Sequence, residues 1–106
     1  MKPEEFGITV EVEIITPDMA RQYLSHNAYH RKIKQKKVDT LAATLAQEGW
    51  HLNGKTITFD SNGRLLGGQH RLSAVIQSGA SLTTLVVRGL NPALLETNEE
   101  NNVVVY

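Results

Sequence analysis

A chain of 106 residues suits one domain with a single core, and its 41% apolar and 21% charged residues exclude wholesale disorder. No apolar run reaches the length of a membrane span, the Met1-Lys2-Pro3-Glu4-Glu5 start is not the pattern of a signal peptide, and with no cysteine there is neither disulfide nor thiolate chemistry. A cytoplasmic protein with no membrane partner is the simplest expectation. The net charge of zero hides an uneven spread: Arg21 to Arg71 carries nine Lys or Arg against three acids, and the two ends carry two against eight. A basic middle favours phosphates, nucleic acid or an acidic partner, although the acidic ends could neutralise it internally.

Residues 1–9 lack periodicity and read as a loose arm. Val10, Val12 and Ile14 alternate with Glu11 and Glu13, which predicts a strand with the apolar residues buried and the acids wet. Thr16-Pro17-Asp18 supplies an N-cap, a proline at the first helical position and an acid that complements the helix dipole. A short helix over about 17–25 would bury Met19, Ala20, Tyr23 and Leu24. A loop over His26 to Arg31 runs into Lys32-Ile33-Lys34-Gln35-Lys36-Lys37. Lys32, Lys34, Lys36 and Lys37 could track a phosphate backbone by charge alone, or simply be solvated.

Val38, Leu41, Ala42, Leu45 and Ala46 give the clearest amphipathic helix, with Gly49 as its stop and Trp50 as a plug over its end. A strand over Lys55–Phe59, a turn at Asp60-Ser61-Asn62-Gly63 and a return through Arg64-Leu65-Leu66 form a hairpin. Leu65 to Ile76 then reads as strand end, two-glycine turn and helix start, the helix running 69–78 to a stop at Gly79. Leu82 to Val87 predicts a central strand, and Asn91-Pro92 opens a short helix. Residues 97–106 read as a mobile tail whose Val103-Val104-Val105-Tyr106 could add an edge strand or pair with another chain.

The turn carries the chemistry. The first amides of a helix lack intrahelical partners and the dipole adds positive charge there, so the end attracts anions. Gly67 and Gly68 let backbone approach a ligand, and His70 and Arg71 add a titratable ring and a planar fork of donors. The alternative is an ordinary solvated first turn, since this is neither a Walker A loop nor a full G-x-G-x-x-G fingerprint.

Gly68-Gln69-His70-Arg71-Leu72-Ser73-Ala74 resembles the Gly-Glu-Arg-Arg-x-Arg-Ala box of ParB-type chromosome-partitioning proteins and the Gly-Cys-His-Arg turn of sulfiredoxin. It is nearest to the Asp-Gly-Gln-His-Arg box of ParB-like phage and DNA-modification-associated proteins. The resemblance spans about residues 10–90 and implies an α+β domain: a small mixed β-sheet with helices packed on it, in the ParB amino-terminal/sulfiredoxin-like fold. It also implies that Gly67, Gly68, Gln69, His70 and Arg71 hold a nucleotide's phosphates, with Asn27 and Arg31 facing them from the earlier loop. The cofactor would be a nucleoside triphosphate, ATP or CTP, with or without Mg²⁺.

Departures from the family pattern shape the expected function. Position 69 is Gln, so sulfiredoxin's cysteine chemistry is excluded; the ParB Glu is also Gln69, its last Arg is Ser73, and Gly67 stands where phage relatives carry Asp. Neither Gly nor Gln can ligate Mg²⁺ as a carboxylate does or act as a base, so binding is expected with weak or no hydrolysis. Asp60 is explained by turn chemistry, and His26, His30, His51 and His70 fit no compact metal pattern. Three functions follow: a nucleotide-binding ParB-like domain in DNA-associated or phage and host regulation, a sequence-nonspecific DNA-binding protein, or a small protein-binding module or inhibitor on a degenerate ParB-like fold. A homo-oligomer stays open.

Overall fold

The computed structural model describes residues 7–27, 32–48 and 56–91. Their elements are β1 (Thr9–Ile15), α1 (Pro17–Ser25), α2 (Gln35–Glu48), β2 (Thr56–Asp60), β3 (Leu65–Gly67), α3 (Gln69–Ser78) and β4 (Leu82–Leu90). The strands form one mixed sheet in the order β1-β4-β2-β3. β4 pairs antiparallel with β1 and parallel with β2, and β2 pairs antiparallel with β3. The domain is therefore a small α+β unit, with β4 central as its run of apolar and β-branched residues predicts.

Local chemistry sets the boundaries. Thr16 Oγ1 accepts the Met19 amide at 3.2 Å, Pro17 occupies the first position and Asp18 the first turn, so α1 starts where capping predicts. α3 stops where Gly79 turns left-handed at φ 74° and its N–H closes on the Val75 carbonyl. The β2–β3 turn is held by the buried Asp60, whose carboxylate accepts the amides of Asn62 and Arg64 at 2.8 and 2.9 Å and the Arg64 Nε at 2.9 Å. Burial opposes the Asp60 charge, yet these donors outweigh it and hold its carboxyl below the usual value.

The main core joins Ile15, Ala20, Leu45, Ile57, Phe59, Leu65, Leu72, Val75, Leu82 and Val86, with Met19, Tyr23 and Leu24 of α1 packed against it. A smaller cluster of Val38, Ala42 and Ala74, with Leu41, seats α2 on α3. Ala46, expected on the buried stripe of α2, is exposed.

β1 corrects the sequence reading. Val10, Val12 and Ile14 are 48%, 56% and 64% exposed, whereas Ile15 is fully buried and Glu13 half-buried. The register explains the inversion: Glu11, Glu13 and Ile15 pair with Val86, Thr84 and Leu82, the inward residues of β4. Alternation with period two fixes which residues share a face and leaves open which face turns inward. The inward acid is tolerated because Arg88 donates to Glu13 Oε2 at 2.7 Å and the Tyr23 hydroxyl donates to Oε1 at 2.5 Å. Residues 1–6, Gly49, Trp50, the helix expected after Asn91 and the tail over 97–106 lie outside the described residues.

Candidate functional site

The three amino-terminal residues of greatest interest in the turn do different things. Gly68 is the N-cap of α3 with φ 104°, a conformation that favours glycine, and a Cβ there would collide with the Ile57 side chain of β2. This glycine thus lets the helix start pack directly onto the sheet. At Gly67 a Cβ would lie 2.9 Å from Thr58 Oγ1. Gln69 is buried, and its amide donates to the Leu66 carbonyl at 3.2 Å and to Asn27 Oδ1 at 3.3 Å. With the Leu65 amide on the His26 carbonyl at 3.0 Å and a bridge from Asn27 to Leu65, it clips the end of α1 to β3. Gln69 and Asn27 are therefore brought together as the reading of the box requires, but they face each other.

His70 and Arg71 turn to the other side. His70 Nε2 accepts the backbone N–H of Lys34, the residue preceding α2, at 3.1 Å. Nε2 is thus the acceptor, which leaves the proton of the neutral ring on Nδ1. Arg71 is half-buried, its Nη1 donating to the Thr56 carbonyl at 3.4 Å at the start of β2. Burial lowers its pKa, as expected when a cation loses water. Lys32, Lys34, Lys36 and Lys37 are all exposed along the approach to α2 and over its first turn. The approach to α2, with its exposed lysines, therefore meets the start of α3 at one corner through the Lys34–His70 bond, and Arg71 ties that helix start to the start of β2. Arg31 lies outside the described residues.

The electrostatics of this corner run against the helix dipoles. Neither α2 nor α3 has an acid in its first turn, and Gly68 offers no side chain as a cap. Basic residues occupy those first turns instead, the arrangement that helix dipoles disfavour unless an anion is added. Asp39, one turn further into α2, is engaged by Gln77 and Gln35 at 2.9 and 2.8 Å, and these bonds hold its carboxyl below the usual value.

The chain matches no protein-family model, no curated protein and no solved structure. Among the described residues no group of three or more His, Asp or Glu side chains could hold a metal ion, and no helix is long and apolar enough to cross a membrane. What the corner offers chemically is donors for an oxyanion: the Arg71 guanidinium and the exposed lysine ammonium groups.

The sequence reading missed two contacts and one orientation. The Lys34 amide on His70 and the Thr56 carbonyl on Arg71 join segments 36 and 15 residues apart, and no local pattern encodes them. The inward turn of Gln69 does have a signal: it lies three residues before Leu72 and seven before Ile76, on the apolar stripe of α3.

Proposed function

We propose that this chain is a phosphate-binding domain of the ParB-like kind, which holds the phosphates of a nucleoside triphosphate at the corner shared by α2 and α3 and hydrolyses it weakly or not at all. The observation that carries this reading is the juxtaposition of two helix starts, both with basic first turns, joined by the bond from the Lys34 amide to His70. An arriving phosphate would complement both dipoles, the exposed lysines and Arg71 at once. The box from Gly67 to Arg71 adds its resemblance to ParB-like proteins. Gln69 and Asn27 support the turn rather than touch the ligand.

Thermal unfolding of the full chain with ATP, CTP and GTP, each with and without Mg²⁺, tests the proposal. A ligand at a hundred times its dissociation constant adds about 2.7 kcal/mol of stability. A rise in Tm with at least one nucleotide is expected, and no rise with any at millimolar concentration overturns it.

A second reading draws on the exposure of Lys32, Lys34, Lys36 and Lys37: the same corner would grip a backbone phosphate of DNA without reading sequence. It requires binding that falls steeply with salt and weakens alike on all sequences when those lysines are replaced. Nucleotide binding with no affinity for duplex at low salt decides for the first reading.

A further inference from the structure

The turn between β2 and β3 carries a reactive pair that the phosphate reading leaves unused. Asn62 is followed by Gly63, both are exposed, and open space surrounds the position that a Cβ of Gly63 would take. An asparagine side chain next to an unhindered backbone nitrogen can cyclise. The Gly63 nitrogen attacks Asn62 Cγ, a C–N bond forms there as the bond from Cγ to the side-chain nitrogen breaks, and that nitrogen leaves as ammonia with the proton of the Gly63 amide. Water then opens the cyclic imide at either carbonyl, giving aspartate, or isoaspartate in which the chain runs through Cγ. Nothing is oxidised or reduced, and water is the co-reactant.

The same turn holds the attacking nitrogen. Each backbone amide from Asp60 to Arg64 has an acceptor: Asp60 donates to the Arg64 carbonyl at 2.9 Å, Ser61 to the Leu90 carbonyl at 2.8 Å and Gly63 to the Asp60 carbonyl at 3.0 Å. The amides of Asn62 and Arg64 share Asp60 Oδ1 at 2.8 and 2.9 Å. The nucleophile is therefore committed to the Asp60 carbonyl, and the residue it must attack is pinned on the buried Asp60 carboxylate. Ring closure requires the Gly63 nitrogen to give up both its proton and its place in the turn, so it waits on a local opening. Gly63, at φ 81°, supplies the left-handed step of the turn and also leaves the attack unhindered, so one residue makes the turn and makes it reactive. Aspartate at position 62 would add a charge beside Asp60, and isoaspartate would lengthen the backbone inside the turn.

We propose that Asn62 is a site of spontaneous hydrolytic deamidation, in which the Gly63 nitrogen displaces the side-chain amide, and that the Asp60 turn sets the rate by withholding that nitrogen. The site lies in the β2–β3 turn and does not depend on any ligand at the α2–α3 corner.

The test incubates the full chain in mildly alkaline buffer, folded and unfolded in guanidinium chloride, and maps its peptides by mass for the replacement of the amide by a hydroxyl and for isoaspartate. Mapping separates Asn62 from Asn53, which also precedes a glycine and lies outside the described residues. Asn62 is expected to convert to aspartate and isoaspartate in the unfolded chain, and at least tenfold more slowly in the folded one, a factor within the range of local opening. Asp60→Ala, which removes the acceptor of two turn amides, is expected to recover most of the unfolded rate in a chain that keeps a cooperative thermal transition. Should that variant not fold, wild type decides: through low concentrations of guanidinium chloride, Gly63 amide exchange and Asn62 conversion are expected to rise in parallel. No conversion of Asn62 in the unfolded chain overturns the site. Equal rates folded and unfolded, a folded Asp60→Ala chain as slow as wild type, or conversion that does not follow the opening of Gly63 overturns the part given to the turn.

Discussion

The start of α1 and the corner where α2 and α3 begin solve the same electrostatic problem in opposite ways. At α1, Thr16 caps the Met19 amide, Pro17 removes an orphan donor, Asp18 answers the dipole and Arg21 pairs with Asp18 at 2.7 Å. That helix start is complete within its own residues. At the corner, Gly68 brings no capping side chain, and His70, Arg71, Lys36 and Lys37 stand where acids would be favourable. Folding alone rewards the first arrangement. The second is rewarded when an anion from outside completes it, and this contrast separates a structural helix start from one suited to a ligand.

Replacing the cap residues separates the two starts most strongly. Serine is ordinarily a better N-cap than glycine, yet Gly68→Ser is expected to destabilise the protein by about 2–4 kcal/mol, because φ 104° strains any side chain and Ile57 fills the space. Urea unfolding measures it, and a neutral or stabilising effect would mean that the helix start does not pack on β2 as described. Arg71→Ala sharpens the contrast from the ligand side: nucleotide affinity should fall at least tenfold, about 1.4 kcal/mol, as read by titration calorimetry. The same readout with Arg21→Ala, at the self-contained start, should not change. Thr16→Ala should cost about 1 kcal/mol of stability and leave nucleotide affinity untouched.

Acid should also act unequally. Burial raises the carboxyl pKa of Glu13, but the bonds from Arg88 and Tyr23 and the charge of Arg88 outweigh it, so the folded value lies below 4.5. A group depressed on folding contributes its full stability above its unfolded pKa and loses it as pH falls through the folded one. Stability should thus decline below about pH 4.5, and Glu13→Gln, already lacking that charge, should show a shallower decline in chemical denaturation between pH 5 and 3. An identical pH profile for the two proteins would place the acid sensitivity elsewhere, Asp60 being the first alternative.

These regions also differ in how far the sequence discloses them. α1 and α3 are legible residue by residue, because caps, the proline and Gly79 act within a few positions along the chain. The turn at Asp60 is legible for the same reason. β1 is legible as a strand but not in its orientation: Val10, Val12 and Ile14 look like a core stripe until the distant Arg88 and Tyr23 are found to satisfy Glu13. In the corner, the box from Gly67 to Arg71 stands out in the sequence, whereas its division into Gln69 facing inward and His70 facing α2 depends on how helices far apart in the chain pack. Ala74 between Val38 and Ala42 sets that packing, and small residues at such a contact carry little signal of their own.

Under the proposed function the corner, and not helix starts in general, receives a phosphate. Amide chemical-shift mapping of the full chain during titration with pyrophosphate, and then with the nucleotide that most raises Tm, addresses it directly. The amides of Lys34, Gln69, His70 and Arg71 should move in a saturable way while those of Asp18, Met19 and Ala20 stay in place. Saturable shifts at α1 equal to those at the corner, or none at the corner, would contradict it.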